Sequence, residues 1–371
     1  MSNKILVHEP DLGEEEIAAV LAALRRGEIS GSFGRAIPEF EEKFAAFCGC
    51  KHGVAVTSGT TALQIAVAAA GIGAGDEVLM SASTNIATAL AAYHNGAVSV
   101  AVDSESVTWN LNPDLIEDLV TPRTRAIIPV HLFGHPCDMT RIMEIARKHD
   151  LVVIEDCAES HGATWRGRMT GSFGDMGCFS FYANKVITTG EGGMVVTSDD
   201  KLAERLRLLR NLGFAKPRFY HQVPAFNFRM TGMQAALGTA QLAKIGKFIA
   251  EKRRVAARYN EYLANIPGLQ LPAELPDAFN VYWMYAMTVR PEFGRTRDEL
   301  AALLAQDGIE TRTFFCPMNM QPFLRQQNGF RETSCPVAED LWQTGLYLPS
   351  ANRLDDASIA RVCEAVAKAR G

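Results

Sequence analysis

Four polar stretches carry residue types that chemistry needs, and each lies where an apolar run ends. The first is SGTTAL, Ser58 to Leu63. It closes the β-rich run VAVTS and opens a helical pattern. Gly59 lets backbone approach a ligand there, and the amides of a helix N-terminus suit an anion such as phosphate. A Ser/Thr helix cap with no ligand explains the same string equally well. The second is Asp156, the last residue of LVVIED. A carboxylate closing a buried strand is costly without a cation or donor beside it. A protonated pyridine nitrogen is one such partner, and a helix cap or an internal ion pair are others. Glu155 points to the opposite face and reads as structural. The third is the stretch Phe179 to Ser198, in which Lys185 follows an apolar strand and precedes the turn Glu191-Gly192-Gly193. A buried, uncompensated ammonium is expensive. A Schiff base with an aldehyde removes that problem and makes the lysine both covalent handle and proton shuttle. Taken alone, a hairpin lysine reaching solvent is the commoner case. The fourth is AFNFRMTGMQAALG, Ala225 to Gly238, where Asn227 and Arg229 sit among aromatics before a long helix. They could reach a phosphate, or cap the helix and pair with its acids.

Together the four supply a phosphate cradle, an acid, a lysine and a second polar loop. The elements that must position them follow from periodicity. Runs at 54–58, 77–80, 98–103, 126–131, 151–156, 176–182 and 193–198 are Val/Ile/Leu-rich, and helical patterns near 59–70, 85–95, 112–120 and 137–149 separate the first five. Near-continuous apolar runs alternating with helices indicate a mainly parallel sheet covered on both faces. No helix fits between the last two runs, so the sheet is expected to be mixed. Ligands of such sheets gather beyond the carboxyl ends of the strands. A helix at about Gly13 to Arg26 is expected upstream, with Asp11 as its cap and Glu14 three residues on. Downstream, residues 233–266 read as one long helix or two stacked ones. A strand at 281–289 and helices near 297–307 and 356–370 complete a smaller α+β region. The expected division is a large α/β domain, 1–240, and a small C-terminal α+β domain, 241–371.

The 371 residues carry a formal net charge of -5, which provides no basic field for nucleic acid or an acidic membrane surface. No stretch approaches the roughly 20 apolar residues that span a bilayer. The first residues lack the apolar core of a signal peptide, so a cytoplasmic protein is expected. The eight cysteines match no zinc spacing and include no CxxC pair; reduced thiols and no metal site are expected. Neither GxGxxG nor GxxxxGK[ST] occurs, which argues against a plain nucleotide-binding module.

Four strings, SGTTAL, IEDCAESHGA (154–163), GSFGDMGCFSFYANKVITTGEGG (171–193) and FNFRMTGMQAALG, closely resemble the DegT/DnrJ/EryC1/StrS family of sugar aminotransferases. The similarity runs from GSFGRAIPEFEEKFAAFCG (31–49) to YLPS (347–350), and the lysine block is most similar to that of the GDP-perosamine synthase branch. The resemblance implies the fold-type I architecture of pyridoxal 5'-phosphate (PLP) enzymes, like aspartate aminotransferase, with a seven-stranded mixed sheet. It also implies a homodimer with a shared active site.

Position by position, the resemblance makes Lys185 the Schiff-base lysine and Asp156 the partner of the pyridinium nitrogen. It puts Glu159 near the phenolic oxygen of PLP. Gly59, Thr60 and Ser180 would hold the phosphate, with Asn227 reaching it from the other subunit. A lysine at 185 argues against the family's dehydratase branch, where histidine replaces it. The chain departs from the family pattern at three places, Asn85, Asn319 and His161. Asn85, in SASTNI, stands where an aromatic residue usually stacks on the cofactor, and Asn319 stands where PMH supplies a substrate-side histidine. His161 has no assigned role. The implied reaction moves the amino group of L-glutamate to a keto sugar, with a nucleotide-linked 4-keto-6-deoxyhexose favoured. A 3-keto sugar, a non-nucleotide cyclic ketone, or a family member that is not a transaminase are the alternatives. His221, Arg229, Arg312 and Asn319 are the candidate substrate-binding residues.

Overall fold

The computed structural model describes residues 4–31, 33–217 and 219–371. The apolar runs of the first 200 residues become the strands of one sheet: β1 (His52–Val56), β2 (Glu77–Ser81), β3 (Val98–Val102), β4 (Thr124–Ile128), β5 (Val152–Asp156), β6 (Met176–Ser180) and β7 (Gly193–Thr197). Their order is β1-β7-β6-β5-β4-β2-β3. All neighbours pair in parallel except β7, which runs antiparallel to both β1 and β6. The mixed sheet is therefore as expected, and its cause is the short connection: residues 181–192 carry Lys185 and leave no room for a crossover helix.

Strand side chains alternate between two apolar layers. Val54 and Val56 enter one core and Ala55 the other. The helices that cover these faces are α1 (Glu14–Arg25), α2 (Ala36–Cys48), α3 (Gly59–Ala69), α4 (Ala87–Tyr93), α5 (Met139–Lys148) and α6 (Asp200–Arg210). The cap of α1 differs from expectation. Gly13 is the N-cap residue, and its N–H donates to the Glu16 carboxylate at 2.8 Å. Asp11 accepts instead from Arg353 at 2.8 Å.

The long helical pattern after residue 230 resolves into α7 (Gly232–Ala243) and α8 (Ile245–Leu263), joined at Lys244. Four strands then form a second, antiparallel sheet: β8 (Leu269–Gln270), β9 (Tyr285–Val289), β10 (Arg312–Thr313) and β11 (Gly345–Leu348), in the order β8-β9-β11-β10. Residues of α8 and of the helices α9 (Arg297–Gln306) and α11 (Asp356–Lys368) pack on it, with α10 (Pro336–Thr344) nearby. Ile5 joins the same core and bridges Ile309. The strand expected at 281–289 is regular only from Tyr285, because Tyr282 takes a left-handed φ of 49°. Among the described residues, no helix is long and apolar enough to cross a membrane.

Candidate active site

The carboxyl ends of β1, β6 and β5 are near neighbours in the sheet, and the loops that leave them converge on a cavity of about 290 Å³. Its wall includes Gly59, Thr60, Asn85, Asp156, Glu159, Ser180 and Lys185. The structure thus brings together seven positions from four separate stretches of the chain.

From β1, the chain turns at Ser58 into α3. The Ser58 Oγ accepts from the Thr61 N–H at 3.1 Å, and the first turn leaves the Gly59 and Thr60 amides without intrahelical acceptors. Glycine is required at 59 by close approach: a Cβ there would lie 2.6 Å from the Ser180 Cβ. The start of α3 is therefore pressed against the end of β6, and that contact forms one end of the cavity.

From β5, Asp156 faces the cavity and is 3 % exposed. It accepts from Thr88 Oγ1 on α4 at 2.8 Å and from the Ala158 N–H at 3.1 Å. It forms no ion pair with a described residue, and burial raises its pKa against the pull of those two donors. Three residues on, Glu159 is also buried and accepts from the Phe133 N–H at 2.8 Å. Burial pushes its pKa up to about 7, with Lys185 pulling the other way. Glu155, on the opposite face of β5, accepts from the amides of Gly171, Phe173 and Gly174 at 2.7–2.8 Å and contacts His131 Nε2 at 3.1 Å. These donors use the carboxylate fully, although His131, Glu155 and Cys157 place donor atoms within 4.8 Å of one another. The Cys137 N–H donates to His131 Nδ1 at 3.0 Å, so the cluster braces β5 against its loops.

From β6, the Lys185 side chain enters the cavity and its Nζ stands 3.8 Å from the Trp283 ring centroid. Burial lowers its pKa; Glu159 and Asp156 oppose that shift. The result is an amine closer to its nucleophilic, neutral form than a surface lysine is. Asn85 accepts from the Ala87 N–H at 3.0 Å and so turns the chain into α4. It borders the cavity with an amide where an aromatic ring would offer a face.

The substrate-side candidates are not assembled in this chain's cavity. Asn319 turns away: its Nδ2 donates to Glu339 Oε1 at 2.9 Å. Arg312 is on the edge strand β10, about half exposed, and pairs with Glu310 at 2.5 Å. Arg229 donates to Asn211 Oδ1 at 2.8 Å. His221 is exposed on a hairpin (Phe214–Ala215 with Tyr220–His221), where its Nδ1 donates to the Leu212 carbonyl at 2.7 Å. Asn227 is exposed beside that hairpin. His161 is an aromatic core residue, fully buried among Phe44, Phe179 and Phe181.

Sequence reasoning missed Thr88, Trp283, Phe315 and Tyr347. Thr88 lies one helical turn after Thr84, a spacing that was available to find it. The aromatics sit in apolar runs that read as core.

The model of the DegT/DnrJ/EryC1/StrS aminotransferase family matches residues 10–367. The chain belongs to this family. It is a PLP-dependent sugar aminotransferase. A GDP-perosamine synthase of Caulobacter vibrioides is 43% identical over 98% of this chain and 97% of its own. A dTDP-3-amino-3,4,6-trideoxy-alpha-D-glucose transaminase of Streptomyces venezuelae is 40% identical over 95% and 92%. Among solved structures, S. venezuelae DesV in complex with a ketimine intermediate superposes with a TM-score of 0.89, at 39% identity over 95% of this chain and 94% of that one. The cavity suits the family's cofactor on its own evidence. It offers a primary amine, a helix N-terminus and a buried carboxylate without an ion pair among the described residues, and the buried Asn184 Oδ1 on its wall has no hydrogen-bond partner among them.

Proposed function

We propose that this sugar aminotransferase takes its amino group from L-glutamate and gives it to a nucleotide-linked 4-keto-6-deoxyhexose, with GDP-4-keto-6-deoxymannose first among acceptors. The observation that carries the substrate reading is the near full-length 43% identity to a GDP-perosamine synthase. A 3-keto sugar is the second reading, favoured by the 40% identity to a 3-amino sugar transaminase.

Bound PLP supplies an aldehyde that condenses with amines and a ring that draws electrons from the carbon bearing the amine. In this reading, Lys185 holds the cofactor covalently and, once displaced by the donor amine, takes a proton on Nζ and returns it. Asp156 keeps a proton on the ring nitrogen. Glu159, with its raised pKa, can donate a hydrogen bond to the phenolic oxygen. The Gly59 and Thr60 amides and the Ser180 hydroxyl hold the phosphate. Asn227 of the partner subunit completes that contact in a homodimer. Exposed aromatics at Phe33, Tyr220 and Phe219 support such an interface. Eight free cysteines support a reducing, cytoplasmic setting.

The visible spectrum of the purified protein, before and after L-glutamate alone, tests the donor half. A yellow protein bleached by glutamate is expected. A yellow protein unchanged by glutamate would remove glutamate as donor. A panel of GDP-, dTDP- and UDP-linked keto sugars then tests the acceptor, and turnover only with 3-keto sugars would replace the first reading by the second.

A further inference from the structure

The Lys185 amine is held in the structure by an indole. Its Nζ lies within cation–π range of the Trp283 ring, 3.8 Å from the centroid. Trp283 is itself fixed from several sides. Its Nε1 donates to the Asn184 carbonyl at 2.7 Å, which ties the ring to the residue preceding the lysine. Its own carbonyl accepts from Lys252 Nζ at 3.0 Å. Lys252 lies on α8, is 1 % exposed, and donates a second hydrogen bond to the Ser350 carbonyl. It forms no ion pair with a described acid; its two carbonyl partners account for its position. The Phe133 ring is nearly parallel to the indole, with centroids 6.5 Å apart. One residue upstream, Tyr282 holds a left-handed backbone with its N–H donating to Asn280 Oδ1 at 2.8 Å. That conformation is strained for an aromatic residue, and it turns the chain just before the indole.

We propose that Trp283 is the positioning residue for the freed Lys185 amine, its indole face holding the ammonium between the two proton transfers, with the Asn184 carbonyl fixing the indole and Lys252 its backbone. The proposal rests on the reading of Lys185 as the cofactor-binding lysine. In that reaction a proton leaves the donor's α-carbon for the Nζ lone pair, and the C–H electron pair stays with the carbon. The ammonium must then persist long enough to return its proton, in a site where burial disfavours it. A carboxylate in contact would hold the charge too firmly. A ring face stabilises it by less, so the proton can leave again. The charged and titratable groups facing this amine are Glu159 and Asp156 after β5, Glu191 on the cavity wall, Tyr347 on β11, and His8 and His161. Both histidines are held neutral by burial, with pKa values near 3. Among the described residues, the aromatic face presented to Nζ is that of Trp283.

The test reads Lys185 directly: the pH dependence of its acetylation in the cofactor-free full chain, measured by peptide mass spectrometry. Trp283→Leu should lower the labelling midpoint by roughly 0.5–1.5 pH units, and Trp283→Phe by less. If the leucine variant does not fold, protein grown with 5-fluorotryptophan carries the test, because fluorine weakens the ring quadrupole at nearly constant shape. Its expected shift is smaller and in the same direction, and it should vanish when the analogue is grown into Trp283→Phe. In the loaded enzyme, the acidic limb of kcat for the glutamate half-reaction should move the same way with KM unchanged. An unmoved midpoint, or an effect on KM alone, would overturn the proposal. Because labelling is read without cofactor, that failure is distinct from wild-type protein failing to take up PLP on Lys185, which would overturn the functional reading instead.

Discussion

Glu159 sits in an environment that opposes its usual charge. Its folded-state pKa of about 7 lies above the ordinary value of 4.5, and burial is the main cause. Between those two pH values, folding takes up a proton. The stability from this group is fully present below pH 4.5 and is lost as pH rises towards 7. Glu159→Gln keeps the shape and cannot titrate. The stability of Glu159→Gln relative to wild type should therefore grow from pH 4.5 to 7, by on the order of 3 kcal/mol in all. His8 and His161 also titrate across part of this window, but in both proteins, so they cancel in the difference. Melting temperatures of the cofactor-free pair at pH 5 and pH 8 measure it. A gap that does not change would mean that Glu159 stays ionised throughout. Lys185→Ala makes the complementary prediction for the chemistry itself: turnover should fall by at least about a thousandfold, together with the yellow absorption, since the proton shuttle and the covalent handle are one group.

At the scale of elements, the close packing of α3 on β6 is the feature to break. Gly59→Ala puts a Cβ 2.6 Å from the Ser180 Cβ, so the N-terminus of α3 must lift away from the strand end. Alanine otherwise favours a helix over glycine. The expected result is a net loss: PLP affinity weaker by about tenfold or more, and stability lower by ~1–3 kcal/mol. Absorbance titration with PLP and thermal melts check both. A stabilised variant with unchanged affinity would remove α3 from the phosphate site. This part of the molecule was legible in the sequence because its signals are local. Val/Ile/Leu runs gave the seven strands, and the lack of a helix between residues 182 and 193 gave the antiparallel β7. Glycine at 59 and Asp156 at a strand end marked the cavity. Where the determinants are distant, the sequence was silent. The expected Asp11 cap gives way to Gly13 and Glu16, and Arg353, from the far end of the chain, pairs with Asp11. Trp283 looked like any core aromatic within VYWMYAMTV, since nothing in that run announces the turn at Tyr282. Asn319 was singled out by its place in a motif, and its amide went to Glu339 on another helix.

For the whole molecule, the question is what completes a cavity that one chain leaves without its second polar loop. Asn227 and His221 belong to a segment exposed away from the cavity wall, and the two-residue strands of that hairpin are too short to bury a core of their own. The segment nonetheless carries Phe214, Phe219 and Tyr220, which are 37, 70 and 55 % exposed, and Phe33 stands 76 % exposed. Three exposed aromatics in one hairpin favour association. A second copy is the simplest occupant, because a two-fold interface lets each hairpin serve the other's cavity. If so, Phe219→Ser combined with Tyr220→Ser should weaken the dimer by up to about a millionfold, since the two-fold axis removes four anchors, each worth roughly 2 kcal/mol. Sedimentation equilibrium would show the shift to monomer. The same variant should also bind PLP less tightly, and high protein concentration should restore that binding, since Asn227 of the partner subunit would again be present. Lost affinity that concentration cannot restore would mean that the hairpin serves its own chain, and an unaltered dimer would move the interface to another face.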